Sequence, residues 1–114
     1  MARVIITQKL KEKIYKQFKS ESKEVFKLIY SLKENPHKGK PLTQVGGILV
    51  KELRYESYRF YFITDGFKIK MLQTSELTDL LIKFIRMSDK RNQQKTIEEI
   101  KEFLRNFGKQ ALEE

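Results

Sequence analysis

The stretch Ile48 to Ile63, ILVKELRYESYRFYFI, reads as a strand, a tight turn at Glu56-Ser57 and a second strand of aromatic and β-branched residues. A turn of that length sets Tyr55 opposite Tyr58, Arg54 opposite Arg59, Leu53 opposite Phe60, Glu52 opposite Tyr61 and Lys51 opposite Phe62. Asp65-Gly66 reads as the turn of a second hairpin, because Gly tolerates positive φ and Asp-Gly suits a type I′ turn. That hairpin would oppose Phe62 to Ile69, Phe60 to Met71, Tyr61 to Lys70 and Ile63 to Lys68. The strand period of two then separates an apolar face, Leu53, Phe60, Phe62, Phe67, Ile69 and Met71, from a basic one, Glu52, Arg54, Arg59, Tyr61, Lys68 and Lys70. Two directly opposed arginines repel and contribute nothing to folding. An anion gripped by both accounts for them; neutralisation by Glu52 is the plainer alternative.

Working outward, Val4 to Ile6 is a short apolar strand, and Thr7 caps a helix striped by Leu10, Ile14 and Phe18. A second helix, capped by Ser20 or Ser22, carries Val25, Leu28, Ile29 and Leu32, with Tyr15, Phe26 and Tyr30 widening the apolar faces. The short link makes the pair an αα-hairpin, which Asn35-Pro36 ends. The connector Asn35 to Gly47 is loop by composition. Beyond a polar break from Gln73 to Thr78, the apolar pattern around Leu80, Ile82 and Phe84 reads as an inner strand. Thr96 to Glu99 forms a capping box, and Ile100, Phe103, Leu104 and Phe107 give a closing helix that Gly108 terminates. The expected order is β-α-α-β-β-β-β-α. It is an α+β fold in which a twisted, mainly antiparallel sheet carries helices on its apolar face and leaves its basic face free.

The 114 residues make one domain, residues 1–114, with a single modest core. Absence of Cys excludes a disulfide scaffold and a cysteine metal site, and the lone His37 cannot form a histidine cluster, so no metal or cofactor is expected. No apolar run approaches the roughly 20 residues of a membrane span. The N-terminus is unlike a signal peptide, and a cytoplasmic location is expected. A formal net charge of +9 attracts polyanions, either nucleic acid or an acidic protein. It is also compatible with a basic structural module.

KELR (Lys51 to Arg54), YRFYF (Tyr58 to Phe62), LLIKFIRMSDK (Leu80 to Lys90) and TIEEIKEFLRNF (Thr96 to Phe107) resemble, in order and spacing, the RelE/ParE superfamily of toxins, nearest the RelE and HigB-like branch. The resemblance spans roughly Val4 to Phe107. It implies a compact RelE-like fold with an N-terminal helical hairpin and a C-terminal helix. It also implies a toxin that cuts messenger RNA on the ribosome, a cognate acidic antitoxin as partner, and a toxin–antitoxin hetero-oligomer. The alternative is a non-nucleolytic, protein-binding homologue, including a ParE-like inhibitor of DNA gyrase. Carried over by position, Arg54, Arg59, Arg86 and Lys90 are the catalytic candidates. Met87 stands where HigB-like members have a second basic residue. Lys51 is a candidate if a β-bulge re-aims it from the core face.

Cleavage through the ribose 2′-hydroxyl requires removal of its proton, stabilisation of charge on the scissile phosphate and protonation of the leaving 5′ oxygen. Planar guanidinium groups of Arg54, Arg59 and Arg86 suit the phosphate, and Lys90 or a re-aimed Lys51 suits proton transfer. Tyr61 offers a ring for base stacking, with filling of the sheet edge as its structural role. Lys68, Lys70, Lys83 and Arg91 complete the candidate RNA-binding set, the lysines as backbone contacts or solvated charges.

Overall fold

The computed structural model describes residues 1–113. A five-stranded mixed sheet runs in the order β1 (Arg3–Ile6), β5 (Leu81–Asp89), β4 (Tyr58–Asp65), β3 (Ile48–Tyr55), β2 (Lys40–Val45). β1 is parallel to β5, and the other pairs are antiparallel. Helices α1 (Gln8–Phe18) and α2 (Ser22–Tyr30) follow β1, α3 (Gly66–Met71) follows β4, and α4 (Gln93–Phe107) follows β5. The α+β expectation is met. The helix order differs from the expected one by the insertion of α3. Among the described residues no helix is long and apolar enough to cross a membrane.

The hairpin read from Ile48 to Ile63 forms in the expected register, with Arg54 opposite Arg59 and Lys51 opposite Phe62. The Asp65-Gly66 hairpin does not form. Asp65 instead caps α3, its Oδ1 accepting from the backbone N–H groups of Phe67 and Lys68 at 3.0 and 3.1 Å. Gly66 is required there for close approach: a Cβ would lie 2.9 Å from both the Gly47 carbonyl oxygen and Gln44 Nε2. The partners expected on that hairpin come from β5, which sets Phe60 against Met87, Tyr61 against Arg86, Phe62 against Phe84 and Ile63 against Lys83. Phe67 and Met71 consequently leave the core and are exposed, whereas Ile69 stays buried.

The connector also differs from the expected loop. Gly46 and Gly47, both at positive φ, return the chain so that Val45 pairs with Ile48, and Lys40–Val45 becomes edge strand β2. An edge position accommodates Pro41, and a register shift between Pro41 and Thr43 breaks the ladder.

The sheet has a core on each face. On the first, α1, α2 and the turn that follows α2 lay Leu10, Ile14, Phe18, Val25, Ile29 and Leu32 against Leu53, Phe60, Phe62 and Phe84. Burying each such side chain stabilises by about 1.5–3 kcal/mol relative to exposure. Thr7 caps α1 as expected, but α2 begins after Glu21 without a side-chain cap, and Ser22 Oγ donates to the Ile14 carbonyl. Tyr15 is exposed, so it widens no buried face.

On the second face α4 packs Ile100 and Leu104 against Ile48, Val50, Tyr61 and Ile63. This helix starts at Gln93 after Asn92, a turn earlier than the expected capping box. Thr96 lies inside it with Oγ1 donating to the Asn92 carbonyl. The face expected to be free is therefore half covered.

Candidate functional site

The polar part of the second face lies at the turn end of the β3–β4 hairpin, bounded by the last residues of β5 and the first turn of α4. Glu52 and Arg54 come from β3, Arg59 and Tyr61 from β4, Arg86 and Ser88 from β5 and Gln93 from α4. Arg86 reaches this face because of a β-bulge. Tyr61 pairs with Arg86 and Phe62 with Phe84, leaving Ile85 unpaired and reversing the inward-outward alternation beyond it. Without the extra residue Arg86 would point into the helical-hairpin core and Met87 would face the site.

Arg54 is exposed and holds Nε 3.8 Å from Glu52 Oε2. Glu52 is only 2% exposed; its Oε1 accepts from Gln93 Nε2 at 3.3 Å, and its Oε2 accepts no hydrogen bond from the described residues. Arg59 is 5% exposed; its Nη1 donates to the Ser57 carbonyl at 2.9 Å, and its Nε has no acceptor among the described residues. The sequence reading expects Arg59 at the surface. Instead it is buried in a central strand paired on both sides. The Tyr61 hydroxyl shares a 2.8 Å hydrogen bond with Ser88 Oγ. Burial raises the Tyr61 pKa above its ordinary value; Ser88 and Arg59 lower it and Glu52 raises it. With no exposed ring, Tyr61 is a floor for the site and not a base-stacking platform.

Arg86 Nη1 lies 4.0 Å from Glu99 Oε1 of α4, both side chains being partly exposed. At this distance the pair is a weak surface contact. Lys90 and Arg91 occupy the exposed turn between β5 and α4, which Asp89 orders by accepting from the Asn92 backbone N–H and Nδ2, each at 2.9 Å. Those bonds, foremost the backbone one, hold the Asp89 carboxyl below its ordinary pKa.

The remaining candidates lie elsewhere. Lys51 is buried on the helical-hairpin side, where Nζ donates to the His37 carbonyl at 2.9 Å and sits 5.7 Å above the Phe62 ring. Desolvation lowers its pKa. The bulge that would have re-aimed it is absent from β3, and the nearby irregularity belongs to β2. Lys68 and Lys70 ride on α3, at the end of β4 remote from Arg59, and Lys68 pairs with Asp79 at 3.3 Å. Lys83 Nζ is tied to the Ala111 and Glu113 carbonyls at 3.0 and 2.8 Å. Sequence reasoning missed Ser88 and Gln93, both brought in by tertiary packing, and treated Glu52 only as a neutralising charge.

Beside Arg86, where β1 stops and the edge of β5 is left unpaired, a cleft of 220 Å³ opens between α1 and α4. Lys9, Lys13 and Arg86 surround an apolar bed of Leu10, Ile85 and Phe103. Among the described residues no group of three or more His, Cys, Asp or Glu could hold a metal ion. Comparison with protein-family models, curated proteins and solved structures finds no match to the chain.

Proposed function

We propose that the protein is a RelE-like toxin, an endoribonuclease that cuts messenger RNA on the ribosome and so inhibits translation. The observation that carries this reading is the convergence of Arg54, Arg59 and the bulge-directed Arg86 on one sheet face, with Lys90 in the adjoining turn. Three guanidinium groups against the two carboxylates of Glu52 and Glu99 leave an excess of positive charge, which suits a transition state whose charge accumulates on phosphate oxygens. In the reaction the 2′ oxygen bonds to phosphorus, the bond from phosphorus to the 5′ oxygen breaks, and one proton leaves the former as another joins the latter. Lys90 is the exposed group available for proton transfer. Lys51, fixed on the other side of the sheet, is not. The cationic cleft beside Arg86 suits an acidic antitoxin segment, because its apolar bed lies among lysines.

In a translation reaction with a defined message, the protein is expected to make discrete cuts near the A-site codon, mapped by primer extension of 5′ ends, and to leave naked message largely intact. Arg86→Ala should lower the rate by about 10²-fold with the fold preserved, since Arg86 is partly exposed and makes only a weak surface contact. A second reading, a protein-binding homologue or gyrase inhibitor, draws on Met87. It points into the helical-hairpin core and leaves the site without the second basic residue of HigB-like members. Inhibition of gyrase supercoiling with no ribosome-dependent cuts would establish that reading instead.

A further inference from the structure

Glu52 and Arg54 are next-but-one neighbours on β3, so the strand period sends both side chains to the second face. They differ in exposure, the Arg54 side chain being 59% exposed and that of Glu52 1%. Gln93, the first residue of α4, donates to Glu52 Oε1 at 3.3 Å, while Oε2 faces Arg54 Nε at 3.8 Å. A carboxylate fixed in a strand and withdrawn from solvent attracts a cation more strongly than a surface carboxylate does, because less water and salt screen it.

Arg54 has reason to leave this position. It stands directly opposite Arg59, and a long exposed side chain swings readily away from a like charge. The contact with Glu52 engages Nε, the inner nitrogen of the guanidinium, and leaves the two terminal nitrogens for a ligand. A fork of two parallel N–H groups matches two phosphate oxygens only when the plane of the guanidinium is fixed. We propose that Glu52, itself set by Gln93, is a positioning residue that holds Arg54 by Nε and so aims its terminal nitrogens at an RNA phosphate. This role rests on the RNA reading of the site for the identity of the ligand. It differs from neutralisation of the arginine pair, which needs a negative charge nearby but no fixed geometry. It also gives the first turn of α4 a part in the site, since one amide sets the carboxylate and the carboxylate sets the guanidinium.

The test uses the full chain and begins with the side chain itself. Nitrogen relaxation in NMR should show the Arg54 Nε–H ordered in wild type, although the side chain is mostly exposed, and mobile in Glu52→Gln. In ribosome-dependent cleavage Glu52→Gln should lower kcat about tenfold without raising KM. Loss of a negative charge beside the arginines favours RNA binding, whereas the phosphate meets a guanidinium that is no longer aimed. In an Arg54→Ala background Glu52→Gln should lower kcat no further, because the two residues act through one contact. Gln93→Ala should loosen the Arg54 Nε–H and lower kcat in the same direction, and it carries the test if Glu52→Gln does not fold.

A mobile Arg54 Nε–H in wild type overturns the proposal. An undiminished kcat in Glu52→Gln also overturns it, and leaves Glu52 as a neutralising charge. A fall in kcat that persists at full size without Arg54 does so as well, by giving Glu52 a role of its own. If wild-type protein makes no ribosome-dependent cuts while Glu52 still orders Arg54, the positioning stands and the nuclease falls. Cuts made with a mobile Arg54 do the reverse.

Discussion

Arg59 shows how one residue is shared between chemistry and folding. Its guanidinium is almost wholly buried and donates to the Ser57 carbonyl, so Arg59→Ala strips that carbonyl of its donor and takes one positive charge from the face it shares with buried Glu52. Arg59→Ala should destabilise by about 1–3 kcal/mol, measured by urea denaturation, in addition to any loss of activity. An unchanged midpoint would show that solvent reaches the site. On the opposite face Lys51 makes a different prediction. Its folded pKa lies below the ordinary 10.5 because burial disfavours the charged form. Between the folded value and 10.5 the unfolded chain holds more protons, so stability rises with pH across that window. Lys51→Met should abolish this alkaline rise, read from denaturation midpoints as a function of pH. A rise that survives the substitution would assign it to another group.

At the scale of elements, α3 depends on two features that a strand would not need. Asp65 supplies its cap, and Gly66 lets the helix start against the backbone of the β2–β3 turn. Gly66→Ala should cost about 1–3 kcal/mol, because the Gly47 carbonyl that a Cβ would strike belongs to a backbone already fixed by pairing. Denaturant titration of the variant measures this cost, and a neutral result would mean that the β2–β3 turn yields freely. α4 raises a different issue. Ile100 and Leu104 are buried on the sheet, Phe107 is 52% exposed and Phe103 contributes to the cleft beside Arg86. The helix therefore closes one core with one stripe and presents a second apolar edge outward. Leu104→Ala should cost about 2–5 kcal/mol and, in hydrogen exchange, increase opening in α4 more than in α1. Equal increases in the two helices would mean that the sheet's two cores unfold as one unit.

For the whole molecule, the sheet divides two tasks. The helical-hairpin face holds the larger apolar core, and the α4 face combines a smaller core with the polar cluster at the hairpin end. Charge is distributed around both, with Lys9 and Lys13 on α1 beside Arg86 at the open edge of β5. Nucleic-acid binding should accordingly weaken as salt rises, and the slope of log affinity against log salt should flatten by about one unit for each phosphate-contacting cation removed. Titration of Arg86→Ala against wild type measures the difference. An unaltered slope would take Arg86 out of the phosphate contacts.

The register of the β3–β4 hairpin, the stripe Leu10, Ile14 and Phe18, and the pairing of Arg54 with Arg59 were all legible in the residues. Each depends on a local period or a turn of defined length, and neighbours along the chain determine both. Other features were decided only by tertiary packing. Phe67 to Met71 is short enough for either strand or helix, and β5 outcompetes it for the edge of β4, because an aligned nine-residue strand offers more backbone pairs and a continuous apolar face. The bulge at Ile85, which brings Arg86 into the site and turns Met87 away, has no local signature. It reconciles two registers that are each set elsewhere along the strand. Burial of Tyr61 and Glu52 follows from α4 crossing the second face. An amphipathic period shows that a helix must cover something, but only the assembled sheet determines which residues it covers.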